Sequence, residues 1–183
     1  MPTLYTRPLT RVSIRPVDKV DVRSIQNYAS DTRLHATCNL PSPYPDGAAE
    51  TFVTSARTAW QRNTQCTFAI LSEEAFCGLM TLNDVRGNEG TAQLDYWVAY
   101  PQWGKGIATQ AASLAIDYAF NRLFLKKLYS GALLRNNASL RVLEKNGFVR
   151  TNEHLYGGPW PERFGGEIVA QYQLLRSQRN TSV

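Results

Sequence analysis

The stretch AQLDYWVAYPQWGKGIATQAASLAIDYAF (92–120) constrains this chain more than any other. It reads as a strand, then a glycine-bearing turn, then a helix rich in alanine. Strand alternation puts Gln93, Asp95 and Trp97 on one face and Leu94, Tyr96 and Val98 on the other. Ala108, Ala111, Ala112, Ala115 and Ala119 fall on roughly one side of the helix, so it can pack close to a sheet. A helix entered this way has unpaired first-turn N–H groups aimed at one point, with the positive end of its dipole behind them. Gly104 and Gly106 let the backbone approach a ligand without a Cβ in the way, and Lys105 adds charge. The pattern predicts an anion site, although Gly-x-Gly before a helix is often a tight turn and nothing more.

Two phosphate-binding motifs are excluded. A P-loop needs GxxxxGK[ST], which the chain lacks. A dinucleotide fingerprint would need a third glycine where Thr109 stands. It would also need an acid near the end of the next strand, which reads Ala132-Leu133-Leu134-Arg135.

The rest of the chain supplies strands and helices in a mixed order. RVSIRPV (11–17) reads as a first strand, and Asp18 as the cap of a helix carrying Val22, Ile25 and Tyr28 on one face. TCNLPSPYPDG (37–47) is a proline-rich loop. Asp46 is expected to cap a second helix with Ala49, Phe52, Val53, Ala56 and Trp60 along one side. TFAIL (67–71) and FCGLMTL (76–82) read as a hairpin, and RGNEG (86–90) as a turn. A helix over about 107–123, a strand over 127–134, a helix over about 137–145 and a terminal strand pair around GGPWPERFGG complete the chain. The expected fold class is α+β: a mixed, mostly antiparallel sheet of about seven strands with one parallel crossover, flanked by helices. The element order is β-α-α-β-β-β-α-β-α-β-β, in a single domain over 8–176.

Composition narrows the function classes. With 183 residues the chain can bury a real core, and no apolar run reaches the length of a membrane span. The first residues, MPTLYTRPLTRVSIRP, lack the apolar stretch of a signal peptide. Three cysteines without a CxxC pair are the thiols of a cytoplasmic protein. The net charge of +5 is spread along the chain without a long basic run, so no direct nucleic acid or membrane partner is expected. No metal site is expected either.

Two blocks carry a resemblance. YWVAYPQWGKGIATQAASLAIDYAF (96–120) and LLRNNASLRVLEKNGFVR (133–150) together resemble the GNAT superfamily of acetyl-CoA-dependent N-acetyltransferases. Within it they are similar to the RimJ/RimL-type branch, which includes ribosomal-protein alanine N-acetyltransferases. The second block also has a physical reading, with Asn136 or Asn137 starting a helix and Gly147 stopping it. The resemblance implies that the amides of Trp103, Gly104, Lys105, Gly106, Ile107, Ala108 and Thr109 bind the pyrophosphate of acetyl-CoA. It implies that the strand edge near Trp97 and Val98 pairs with the pantetheine arm, and that Asn136 and Ser139 meet that arm near the thioester.

The chain departs from the family pattern at the chemistry. The superfamily often has a tyrosine where this chain has Leu143, which leaves Ser139 as the nearest hydroxyl for the leaving thiolate, a role open beside that of a helix cap. The branch commonly has a glutamate where this chain has Gln93 and Gln110. Asp95 and Glu162 remain as candidate bases, and Asp95 is equally explained by a structural tie to an arginine or to backbone amides. His35 and His154 are isolated and read as structural. A lysine amine ionises near 10.4 and an α-amine near 7.7–8.0, a gap worth roughly 3.4 kcal/mol in reaching the neutral nucleophile. A site without a strong base therefore suits an α-amine. The expected activity is acetyl transfer from acetyl-CoA to a primary amine, most simply a peptide N-terminus, through a ternary complex. The alternatives are a small-molecule amine as acceptor and a CoA-binding protein that no longer catalyses. The sequence does not show the oligomeric state and is compatible with a homodimer.

Overall fold

The computed structural model describes residues 11–179, so the expected domain start at residue 8 lies outside the described residues. Seven strands form one sheet: β1 (Val12–Pro16), β2 (Cys66–Ser72), β3 (Ala75–Arg86), β4 (Thr91–Val98), β5 (Lys127–Leu133), β6 (Val149–Leu155) and β7 (Ile168–Leu175). Their spatial order is β1-β2-β3-β4-β5-β7-β6, antiparallel throughout except for the parallel β4–β5 pair. This is the expected mixed sheet with one parallel crossover. The helices are α1 (Val22–Ala29), α2 (Thr32–His35), α3 (Ala48–Gln61), α4 (Ile107–Asn121), α5 (Asn137–Lys145), α6 (Pro161–Phe164) and α7 (Arg176–Arg179).

Two apolar layers sandwich the sheet. On one side α4 and α5 bury Ile107, Ala111, Ala115, Ile116 and Leu143 against Ile70, Met80, Leu82, Leu94 and Leu128. The alanines let α4 lie close to the strands, as the sequence pattern required. On the other side α1, α2 and α3 bury Ile25, Leu34, Ala49 and Val53 against Leu79 and Trp97. The alternation of β4 is thus realised, with Leu94 and Val98 in the first layer and Trp97 in the second.

Local chemistry explains most boundaries. Asp18 caps a 3₁₀ turn (Lys19–Asp21) that leads into α1, with Asp21 completing a capping box. Asp21 is buried, and the Arg15 guanidinium meets both of its carboxylate oxygens at 2.7 and 2.8 Å. The turn between β2 and β3 is the two-residue kind, with Glu73 and Glu74 both at positive φ. Asn136 caps α5 by accepting from the Ser139 N–H, and Gly147 at φ +85° ends it.

Two expectations are corrected. Asp46 does not cap α3; the chain enters that helix through Gly47 at φ +76°, and the Gln26 side chain accepts from the first-turn Ala49 N–H at 3.2 Å. A left-handed residue one step later has taken over the change of direction that an N-cap would have made. The loop around GGPWPERFGG also contains the short helix α6, because Pro161 fixes a first-turn φ and Phe164 is buried beneath it.

Gly78 in β3 lies opposite Val98, at the end of β4 that matters below. A Cβ there would sit 2.2 Å from the Trp97 carbonyl oxygen. The Gly78→Ala variant must push the two strands apart, at a cost of at least about 2 kcal/mol. A lowered midpoint in chemical denaturation is expected; an unchanged midpoint would refute the close approach.

Candidate active site

The site is built where two strands part. The parallel pairing of β4 with β5 runs only from Thr91↔Lys127 to Gln93↔Tyr129. At the next residue the buried Ser130 hydroxyl, not a backbone amide, donates to the Leu94 carbonyl at 2.7 Å. Beyond that point β4 continues to Val98, and among the described residues no strand pairs with it on that side. The Leu94 carbonyl faces β5, while the Ala99 N–H donates to the Cys77 carbonyl on β3. By alternation, the backbone groups of Tyr96 and Val98 face the opening and those of Trp97 face β3. Of the two residues expected at the pantetheine edge, Val98 therefore presents its backbone to the opening. The Trp97 side chain is buried in the other layer, edge-on to Phe76.

The turn after β4 closes one end of the opening. A 3₁₀ turn (Tyr100–Gln102) leads to Trp103, whose indole N–H donates to the Val98 carbonyl at 2.6 Å. Gly104 and Gly106 have φ of +72° and +76°, and both would point a Cβ into open space. Gly106 is the N-cap of α4 and no side chain caps that helix, so the amides of Ile107, Ala108 and Thr109 lack a side-chain acceptor. The Lys105 ammonium rests on the Gln102 side chain at 2.9 Å, beside the turn.

The other wall is the start of α5. Asn136 accepts from the Ser139 N–H at 3.2 Å and donates from Nδ2 to the Ser139 hydroxyl oxygen at 3.1 Å. The buried Asn146 ties this helix to α4, donating to the Thr109 carbonyl at 3.2 Å. Asn136 and Ser139 are thus held as one unit at the start of α5, whose far end is tied to the first turn of α4.

One residue on this wall escaped the sequence reading. Tyr96 points to the α4–α5 side and its hydroxyl is buried without a hydrogen bond. Burial pushes the phenol up to about 12, and the Ser139 side chain is the leading influence in the opposite direction. Alternation had already set Tyr96 beside Leu94 and Val98, but only the parting of the strands gives that position meaning.

The candidate bases are separated from this wall. The Asp95 carboxylate is held by side-chain amides, from Asn83 at 2.6 Å and from Gln93 at 3.0 and 3.1 Å. Glu162 is exposed on the first turn of α6 and makes no hydrogen bond to Asp95 or Ser139. Beside it, Arg163 donates to the carbonyls of His35 and Leu40 at 3.0 and 2.5 Å. Arg135 reaches the Ala36 carbonyl and pairs with Glu167, and the Tyr156 hydroxyl meets Asn39 at 2.8 Å. These contacts clasp the 35–40 segment to the 156–167 loop. His35 is structural: Nε2 donates to the Ala29 carbonyl at 2.7 Å, which leaves Nδ1 to accept from Ser42 at 2.8 Å. His154 is exposed on β6. The cysteines are free, and burial pushes the Cys66 thiol up to about 11. Among the described residues no cluster suited to a metal ion occurs, and no helix is long and apolar enough to cross a membrane.

An open sheet split beside an uncapped, glycine-entered helix defines a class of acyltransferases, and comparison with known proteins gives the family. Residues 11–149 match the acetyltransferase (GNAT) domain model, so the chain belongs to the GNAT acetyltransferases, an N-acetyltransferase family that uses acetyl-CoA. The chain is 41% identical over 78 residues to YjcK of Bacillus subtilis (strain 168), named a probable N-acetyltransferase; the match covers 42% of this chain and 43% of that protein. It is 26% identical over 160 residues to spermidine N(1)-acetyltransferase of Escherichia coli (strain K12), covering 85% of this chain and 80% of that one. In structure it is similar to RimL, a ribosomal alpha-N-protein acetyltransferase solved in complex with Coenzyme A. That match has a TM-score of 0.82 at 17% identity and covers 92% of this chain and 96% of that one. The family and the seven-stranded fold expected from the sequence are thereby established, while the relatives include both protein and polyamine acetyltransferases.

The uncapped turn generates a direct test. Gly106→Val places a β-branched residue at φ +76° and a side chain in the open space before α4. The strain is about 1–3 kcal/mol, but the ligand loses its close approach as well. Calorimetric titration should show acetyl-CoA affinity falling at least about tenfold. Unchanged affinity would mean that this turn holds no phosphate.

Proposed function

We propose that this protein transfers an acetyl group from acetyl-CoA to the α-amine of a protein or peptide N-terminus, by direct attack in a ternary complex. The observation that carries the reading is the opening between β4 and β5 facing the uncapped start of α4. The amides of Gly104 to Thr109, with Lys105, would take the pyrophosphate, while the Trp103 N–H is already given to the Tyr100 carbonyl at 3.0 Å. The backbone of β4 at Val98, and not that of Trp97, which faces β3, would take the pantetheine arm, and Asn136 and Ser139 would bound the thioester end. Acetyl-CoA supplies the activated acyl carbon when bound. The chain's own groups orient it: strand N–H groups face the carbonyl oxygen, and the Ser139 hydroxyl faces the sulfur that departs as thiolate. Asp95 or Glu162 would take up the proton of the amine.

The charges on the acceptor side support an α-amine over a polyamine. A polyamine carries several cations and needs unengaged carboxylates to receive them. Here Asp31 is paired with Arg33, Glu167 with Arg135, and Asp95 is held by two amides. Arg163 adds a cation that rests on carbonyl oxygens and on the rings of Trp160 and Phe164. Glu162 alone of the carboxylates named here stands unengaged.

A panel of acceptors at neutral pH tests the reading by release of CoA. Alanyl and seryl peptides should exceed lysine side chains and spermidine by about three-hundredfold in kcat/KM, the neutral-amine advantage of roughly 2.5 units. A preference for spermidine would move the assignment to the small-amine class. Release of CoA with none of the amines, despite tight binding, would make this a CoA-binding protein without catalysis.

A further inference from the structure

Trp103 stands between the end of β4 and the glycine turn, and both of its N–H donors point back to the strand end. The backbone N–H goes to the Tyr100 carbonyl at 3.0 Å and the indole N–H to the Val98 carbonyl at 2.6 Å. The first bond belongs to the 3₁₀ turn. The second is a side-chain tie that closes residues 98–103 into a ring. The Val98 carbonyl shares a rigid peptide plane with the Ala99 N–H, which is given to the Cys77 carbonyl on β3 at 2.7 Å. The tie thus runs from the sheet, through one plane, to the residue before Gly104.

The indole is held in place by contacts at the surface. Trp103 is 44% exposed, so core packing does not set its orientation. The Tyr100 ring braces it, with centroids 5.1 Å apart, and the Arg33 guanidinium lies 3.6 Å from the Tyr100 centroid. Arg33 is fixed in turn by both carboxylate oxygens of Asp31, at 2.8 and 2.5 Å. On the other side of Trp103, Gly104 and Gly106 face open space, and the Lys105 ammonium reaches Gln102 inside the same loop. Among the described residues the indole makes the one side-chain hydrogen bond that joins this turn to β4.

We infer that Trp103 is a positioning residue: its indole fixes the glycine turn relative to the open edge of β4, so that the two ends of one ligand find both subsites at the right spacing. The inference rests on the proposed reading that acetyl-CoA spans the turn and the edge. A ligand with two linked halves gains from the link only while the spacing of its subsites matches, and the gain falls as that spacing is allowed to vary. Trp103 acts on this gain and on neither half alone.

The test compares the whole ligand with its halves. Acetyl-CoA is titrated by calorimetry, and 3′-phosphoadenosine 5′-diphosphate and acetyl-pantetheine by ligand-observed NMR. Trp103→Phe keeps a ring against Tyr100 but removes the N–H. It should weaken acetyl-CoA binding about tenfold, near the upper net contribution of one hydrogen bond, and leave both fragments within experimental scatter. Arg33→Ala should show the same pattern at about threefold, and it decides the matter by the same comparison if Trp103→Phe does not fold. Unchanged acetyl-CoA affinity overturns the inference. So does an equal loss for either fragment, which would mean direct contact or a general loss of structure. If neither fragment binds the wild-type protein and acetyl-CoA does not either, the reading of the turn and edge fails and the inference falls with it.

Discussion

The pairing of β4 with β5 stops after three residues, and the rest of the site depends on that stop. A central strand normally completes its hydrogen bonds on both sides, and each buried group left unmade costs about 1–3 kcal/mol. The protein limits that cost with side chains. Ser130 takes the Leu94 carbonyl at the fork, and the Trp103 indole takes the Val98 carbonyl at the far end. Between them lies the backbone of Tyr96, whose amide and carbonyl face the gap. A strand edge held open in this way is ready for an extended amide-bearing ligand to complete the ladder.

The same fork explains why α4 and α5 have so little freedom. Small residues set the depth of α4: Ala111, Ala112, Ala115 and Ala119 are fully buried on the sheet. Asn146 joins α5 to the carbonyl of Thr109 in the first turn of α4. The turn with Gly104 and Gly106 is therefore aimed by packing on one side and by a buried amide on the other. Few of these contacts are strong singly, but all of them fix the direction of one helix end, which is what a site for a diphosphate requires.

Local signals were legible in the sequence and long-range ones were not. The expected helix over 137–145 matches α5 to the residue, because its start and stop are set by Asn136 and Gly147 within the segment itself. The alternation of β4 was equally readable, since it needs only the order of residues along one strand. Asp46 was misread because the choice between it and Gly47 depends on how the preceding proline loop delivers the chain. The environment of Asp95 was only half readable. That it would be tied was foreseeable for an acid in a central strand, but its partner Asn83 comes from β3, ahead of a shift in strand register. The meaning of Tyr96 was hidden for the same reason, because it depends on where β5 leaves β4.

The departures from the family pattern are connected by chemistry. Losing the glutamates at Gln93 and Gln110 removes acid from the acceptor side, and Gln93 uses its amide to hold Asp95. A site so arranged has less means to deprotonate an amine of high pKa and less charge with which to attract a polycation. Losing the tyrosine at Leu143 removes a donor from the thiolate side, and Leu143 is instead buried in the core at 1% exposure. An apolar side chain there tightens the packing of α5, which steadies the Asn136–Ser139 unit at the start of the same helix. The two sides of the reaction thus change in the same sense. On the proposed reading, each would rely less on a strong acid or base and more on hydrogen-bond donors and acceptors held in position, as an acceptor amine already partly neutral at physiological pH allows.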